Sequence, residues 1–117
     1  MALDNYSGVC EASEMADQLT IAIDFDETFT ADVQMWSACI KTMQDAGHRV
    51  ICVSARRNEF SHQQELRRAL PEGVDILLSY GTPKRLYAKA HGYHVDIWID
   101  DCPEAIPSKE DMARMCG

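Results

Sequence analysis

Four short apolar runs, at residues 19–24, 49–54, 74–80 and 94–100, are separated by segments whose apolar residues recur every three or four positions. That alternation is the strongest constraint on the fold. A near-continuous apolar run of strand length reads as a strand buried on both faces, and a three- and four-residue spacing reads as a helix with one buried stripe. Strands alternating with helices imply a parallel sheet, because consecutive parallel strands need a crossover, and right-handed crossovers place helices on both faces. The expected class is therefore α/β, a three-layer Rossmann-like parallel sheet with helices on both faces. A chain of 117 residues can bury one such core and not two. The expected organisation is a loose or capping leader at 1–18 and a single domain at 19–117.

The helical segments have recognisable ends. Val33, Trp36, Ile40 and Met43 mark a helix over 31–46, with Asp32 as its cap and Gly47 as its stop. A second helix is expected over 58–70, with Gln63, Gln64, Glu65, Arg67 and Arg68 mostly outward and Pro71-Glu72-Gly73 ending it. Thr82 is expected to cap a third helix with Pro83 in its first turn, closed by His91-Gly92. Pro103 and Pro107 break up the segment after the fourth strand. In sheets of this kind ligands sit beyond the carboxyl ends of the strands, so polar residues there are the ones to inspect.

Composition narrows the function. No apolar run approaches the roughly 20 residues of a membrane-spanning helix. The formal net charge of −8, from 11 basic and 19 acidic residues, repels polyanions and disfavours general coating of nucleic acid. Residues 1–18 lack a basic start followed by an apolar block, so a secretory signal is not expected. Five scattered cysteines without a Cys-x-x-Cys pair fit a reducing cytoplasm, with Cys39 and Cys52 read as small apolar filler. His48, His62, His91 and His94 show no metal-ligand spacing, and surface or strand-edge positions are expected for them.

The first apolar run leads directly into Asp24-Phe25-Asp26-Glu27-Thr28. Carboxylates two residues apart at a strand end share a face and repel, so they need a cation, a shared proton or a positive partner. By itself this segment is equally an Asp-rich turn. The other strand ends shift the balance. Ser54 closes the second run and is followed by Arg56 and Arg57; Lys84 lies just past the third; Asp100-Asp101 closes the fourth. Lys89 competes with Lys84, but it lies more than a turn deeper into the helix. Arg56, or its neighbour Arg57, is a candidate fork donor to a substrate phosphate or carboxylate.

Taken in order, these residues resemble the haloacid dehalogenase (HAD) superfamily of phosphohydrolases over residues 19–106. Asp24-Phe25-Asp26-Glu27-Thr28 is similar to the family's first motif, Asp-x-Asp-x-Thr after an apolar strand. Ser54 is similar to the second motif, Lys84 to the third, and Asp100-Asp101 to the fourth in its double-Asp form. The resemblance implies a Mg²⁺-dependent phosphatase acting through an aspartyl-phosphate. Asp24 would be nucleophile and metal ligand, and Asp26 would be general acid and then base, its backbone carbonyl also a ligand. Asp100 and Asp101 would complete the metal site, one directly and one through water or hydrogen bonds. Ser54 and Lys84 would hold the phosphoryl group, and Thr28 would brace the turn. A hard divalent ion with oxygen ligands suits an anionic nucleophile that must approach an anionic ester.

Two departures accompany the resemblance. Glu27 stands where many members carry glycine, and no cap domain fits either between 30 and 46 or between 70 and 84. A HAD-like core without a cap implies a phosphorylated substrate that is macromolecular, or a site closed by another subunit, with a homo-oligomer as one means of closure. The double Asp followed by Cys102-Pro103 implies a nucleotide or a phosphorylated nucleic-acid end as substrate class. Phosphoryl transfer to an acceptor other than water, or Mg²⁺ and phosphate binding without catalysis, are the alternatives on the same scaffold. Retention of Asp26 argues against the second.

Overall fold

The computed structural model describes residues 18–103 and 106–116; apart from Gln18, the expected leader lies outside the described residues. Four strands, β1 (Thr20–Ile23), β2 (Arg49–Ser54), β3 (Asp75–Leu78) and β4 (Ile97–Ile99), form one all-parallel sheet in the order β3-β2-β1-β4. Between them run α1 (Val33–Asp45), α2 (Phe60–Ala69) and α3 (Lys84–Ala90), and α4 (Lys109–Cys116) comes after β4. The α/β, Rossmann-like class read from the alternation is the class observed. Among the described residues, only a 3-10 turn at Phe29–Ala31 separates β1 from α1, and α2 is the one helix or strand between β2 and β3.

The period-two pleat divides the core into two layers. Val50, Cys52, Leu78 and Ile23 face Ile40 of α1 and Leu66 of α2. Ala22, Ile51, Val53 and Leu77 face Ala88 of α3 on the opposite side. The change of face comes from topology. The chain steps outward from β1 to β2 to β3, then crosses back to β4 on the far side of β1, and crossovers of one hand running in opposite directions occupy opposite faces. Fully buried Leu66 contributes on the order of 1.5–3 kcal/mol by its removal from water.

Local signals set most boundaries. The Asp32 carboxylate accepts from the Met35 backbone N at 3.0 Å, and Gly47 takes φ 95 beyond the end of α1. Of the expected apolar stripe, Ile40 is buried and Trp36 and Met43 pack against the core, whereas Val33, in the first turn, is 45 % exposed. β3 stops at Leu78 because the next residues close a turn, Thr82 N to Ser79 O at 3.1 Å, with Gly81 at φ 78. That turn also engages Thr82, so the residue before α3 is Pro83 and no side chain caps the helix. β4 begins at Ile97 because Asp96 is already tied to Thr20, its carboxylate accepting from Thr20 N at 2.8 Å.

Helix α4 lies beyond Pro107, where the sequence pattern alone suggests only a broken segment. Its start is a reciprocal cap, with Asp111 N donating to Ser108 Oγ at 3.0 Å and Ser108 N to the Asp111 carboxylate at 3.4 Å. The Ser-x-x-Asp spacing is legible; the flanking prolines conceal it.

Tyr93 links the start of β4's approach to the start of β3, its hydroxyl donating to Asp75 Oδ2 at 2.6 Å. This bond to a carboxylate raises the Tyr93 phenol above its ordinary value. The stabilisation is complete below the unfolded phenol's pKa of about 10 and is lost as pH rises through the higher folded value. Tyr93→Phe is expected to cost about 0.5 kcal/mol at neutral pH, the low end because the pair is exposed. Urea titrations of both proteins should show that difference closing above about pH 10.

Candidate active site

The sheet order makes β1 and β4 neighbours at the place where strand order reverses, so the crevice opens beyond their carboxyl ends. Asp24 comes directly after β1 and continues the pairing, its backbone N donating to Ile99 O at 2.9 Å. Asp100 and Asp101 come directly after β4. Parallel pairing of Ile23 with Ile99 therefore brings Asp24 beside Asp100, a result of register rather than sequence proximity.

Lys84, the first residue of α3, lies between them. Its Nζ is 2.8 Å from Asp24 Oδ1 and 2.7 Å from Asp100 Oδ2, with the three side chains 8 %, 11 % and 3 % exposed respectively. Burial works to lower the Lys84 pKa, but the two carboxylates outweigh it and hold the ammonium above its ordinary value. Burial pushes the Asp24 carboxyl up, with Lys84 opposing. Of the two lysines, Lys84 lies at the strand ends and Lys89 is exposed.

Thr28 joins the two strand ends. Its hydroxyl has one proton for two acceptors, Asp24 Oδ2 at 3.4 Å and Asp101 Oδ1 at 3.3 Å, and it accepts from Asp101 N at 3.1 Å. Carboxylate oxygens of Asp24, Asp100 and Asp101 all lie within 4.8 Å of one another. Three carboxylates against one ammonium leave an excess of negative charge, and the donors are all oxygen, which fits a hard divalent cation. Asp100 already spends both oxygens within the protein, on Lys84 and on Cys102 N at 2.8 Å. Asp101 is exposed; among the described residues its carboxylate meets the Thr28 hydroxyl and lies beside the Asp24 carboxyl.

The Asp26 side chain is not in that cluster. The turn after Asp24 carries it to Arg56, which grips it as a fork, Nε to Oδ2 at 2.9 Å and Nη2 to Oδ1 at 2.8 Å. This pairing holds the Asp26 carboxyl below its ordinary value. Arg56 also reaches Glu65 of α2, Nη1 to Oε1 at 2.7 Å, and its guanidinium lies 5.3 Å over the Phe25 ring. In the free protein Arg56 is thus fully engaged with two carboxylates. The sequence marks Glu65 only as an outward helix residue; an acid nine positions after the arginine carries no local signal.

Ser54 is 1 % exposed; its Oγ accepts from Arg56 N at 3.2 Å, and its carbonyl accepts from Ser79 N at 2.8 Å. The hydroxyl shapes the turn that presents Arg56. Cys52 is buried in the core, its thiol pushed up to about 12 mainly by burial, in keeping with a filler role. His48 Nδ1 accepts from Leu19 N at 3.0 Å at the strand edge, as expected.

Glu27 completes the turn with φ 64, the left-handed region, and its N donates to Thr30 Oγ1 at 2.9 Å.

Removing the central cation should be costly, because two nearly buried carboxylates would face each other unneutralised. Lys84→Met is expected to lower stability by roughly 3 kcal/mol, and adding Asp100→Asn should recover part of it. Chemical denaturation of the single and double variants measures both effects; a neutral Lys84→Met would contradict the arrangement. No family model, curated protein or solved structure matches this chain.

Proposed function

We propose that this protein is a Mg²⁺-dependent phosphomonoesterase of the HAD type, working through an aspartyl-phosphate on Asp24. One observation carries the reading: Asp24, Lys84, Asp100 and Asp101, far apart in sequence, converge beyond the switch point of a parallel sheet. The sequence resemblance assigns roles to the same residues. A divalent cation held by Asp24, Asp100 and Asp101, with the Asp26 carbonyl, would neutralise the approach of nucleophile to phosphate and keep Asp24 ionised. Asp101, with oxygens to spare, is the better direct carboxylate ligand of the pair, and Asp100 orients Lys84.

The protein's own groups then act in sequence. Asp24 attacks phosphorus, and the phosphorus–oxygen bond to the leaving alcohol breaks as Asp26 donates a proton to that oxygen. Water then attacks the aspartyl-phosphate and gives its proton to Asp26, releasing inorganic phosphate and the Asp24 carboxylate. Lys84 neutralises charge on the transferring group throughout. Because Arg56 keeps Asp26 ionised in the free protein, its fork must loosen before Asp26 can carry a proton. An anionic substrate competing for Arg56 supplies the cause.

Purified protein is expected to hydrolyse p-nitrophenyl phosphate with Mg²⁺ and to stop when the ion is chelated. Asp24→Asn should show no turnover, and Asp26→Asn should lose about 10²- to 10⁴-fold in kcat. Full activity of Asp24→Asn would sink the mechanism. Phosphate release measured against competing alcohols separates hydrolysis from transfer to another acceptor.

A further inference from the structure

We propose that the rim of this site carries a stacking platform for a planar nucleobase, built on Tyr80 and Arg57, so that the phosphomonoester taken is a nucleotide. This rests on the phosphohydrolase reading above and names its substrate class.

Among the described residues the large exposed hydrophobics are Val33, Met35, Phe60, Tyr80 and Ile97. Singly, such residues need no explanation. Four of these five, however, come after the carboxyl ends of β1, β2 and β3, the end of the sheet where Asp24 lies. Val33 and Met35 are in the first turn of α1, Phe60 opens α2, and Tyr80 is in the turn before α3.

The chemistry of the rim is specific. Arg57 lays its guanidinium 4.8 Å over the Tyr80 ring, yet Tyr80 stays 56 % exposed, and Phe60 is 78 % exposed. A planar cation on a planar phenol leaves flat surface for a third planar group, and nucleobases stack on both partners. The backbone beneath both halves is fixed before any ligand arrives. The Ser54 carbonyl, which accepts from Ser79 N and Oγ at 2.8 and 3.2 Å, fixes the turn bearing Tyr80. His62 Nδ1 lies 3.0 Å from Arg57 O. Tyr80 follows Ser79, which bonds to the Ser54 carbonyl, and Arg57 follows the Arg56 that grips Asp26. A net charge of −8 favours a mononucleotide over a polyanionic strand.

The test compares kcat/KM for AMP, as its 3′ and 5′ isomers, with kcat/KM for ribose 5-phosphate, which lacks the base. Wild-type protein should favour the better AMP isomer by about tenfold or more. Tyr80→Ala should cut that ratio about tenfold, and Tyr80→Phe should retain it. A wild-type ratio near one, or a Tyr80→Ala loss equal on both substrates, overturns the platform while leaving the phosphohydrolase intact. Failure to hydrolyse any of these esters or p-nitrophenyl phosphate overturns the reading on which the platform rests.

Discussion

One ammonium group organises the carboxyl end of this sheet. Asp24 and Asp100 come from adjacent strands whose pairing forces them together, and Lys84 between them neutralises what that register would otherwise set in opposition. The dependence runs in both directions. Helix α3 has seven residues, too few to hold a helix by backbone bonding alone, and its first residue is tied to both strands. The long crossover from β3 to β4 is therefore positioned by two ion pairs as well as by the apolar contacts of Ala88.

Neighbouring carboxylates are given different partners. Asp24 faces Lys84 inside the protein, and Asp26, two residues on, faces Arg56 at its surface. Burial pushes one up and the guanidinium pulls the other down. The proposed chemistry needs Asp24 ionised and Asp26 able to carry a proton; the Lys84 ion pair serves the first need, and the Arg56 fork opposes the second. Under the proposed reading, a substrate anion competing for Arg56 would release Asp26 toward its working state. Such an arrangement would couple activity to occupancy of the arginine.

Much of this is readable before any coordinates. Period and turn chemistry mark the four strands and three of the helices, and the fold class places Asp24, Ser54, Lys84 and Asp100-Asp101 at one end. Bonds that depend on how elements pack are beyond such a reading. The Arg56 fork joins the turn after β1 to helix α2 through Glu65, and Thr28 bridges to Asp101 across 73 positions of sequence. Apolar pattern overestimates strand ends where side chains replace ladder bonds, as Asp96 does for β4. Val33 fits the helical period yet is exposed in the first turn of α1, since period alone does not say where along its length a helix is covered.

The turn that aims both carboxylates passes through Glu27 in the left-handed region. For a residue with a side chain this conformation costs on the order of 1–2 kcal/mol, which the Thr30 bond to its backbone offsets in part. Glycine there would remove the strain but would also widen the range of conformations open to the unfolded segment. A glutamate makes the segment stiffer on both sides of the folding equilibrium. The loop is therefore narrower in its choices before the sheet assembles, but those choices disfavour the left-handed one it adopts, so the separation of Asp24 from Asp26 is held by folded-state contacts against a local preference.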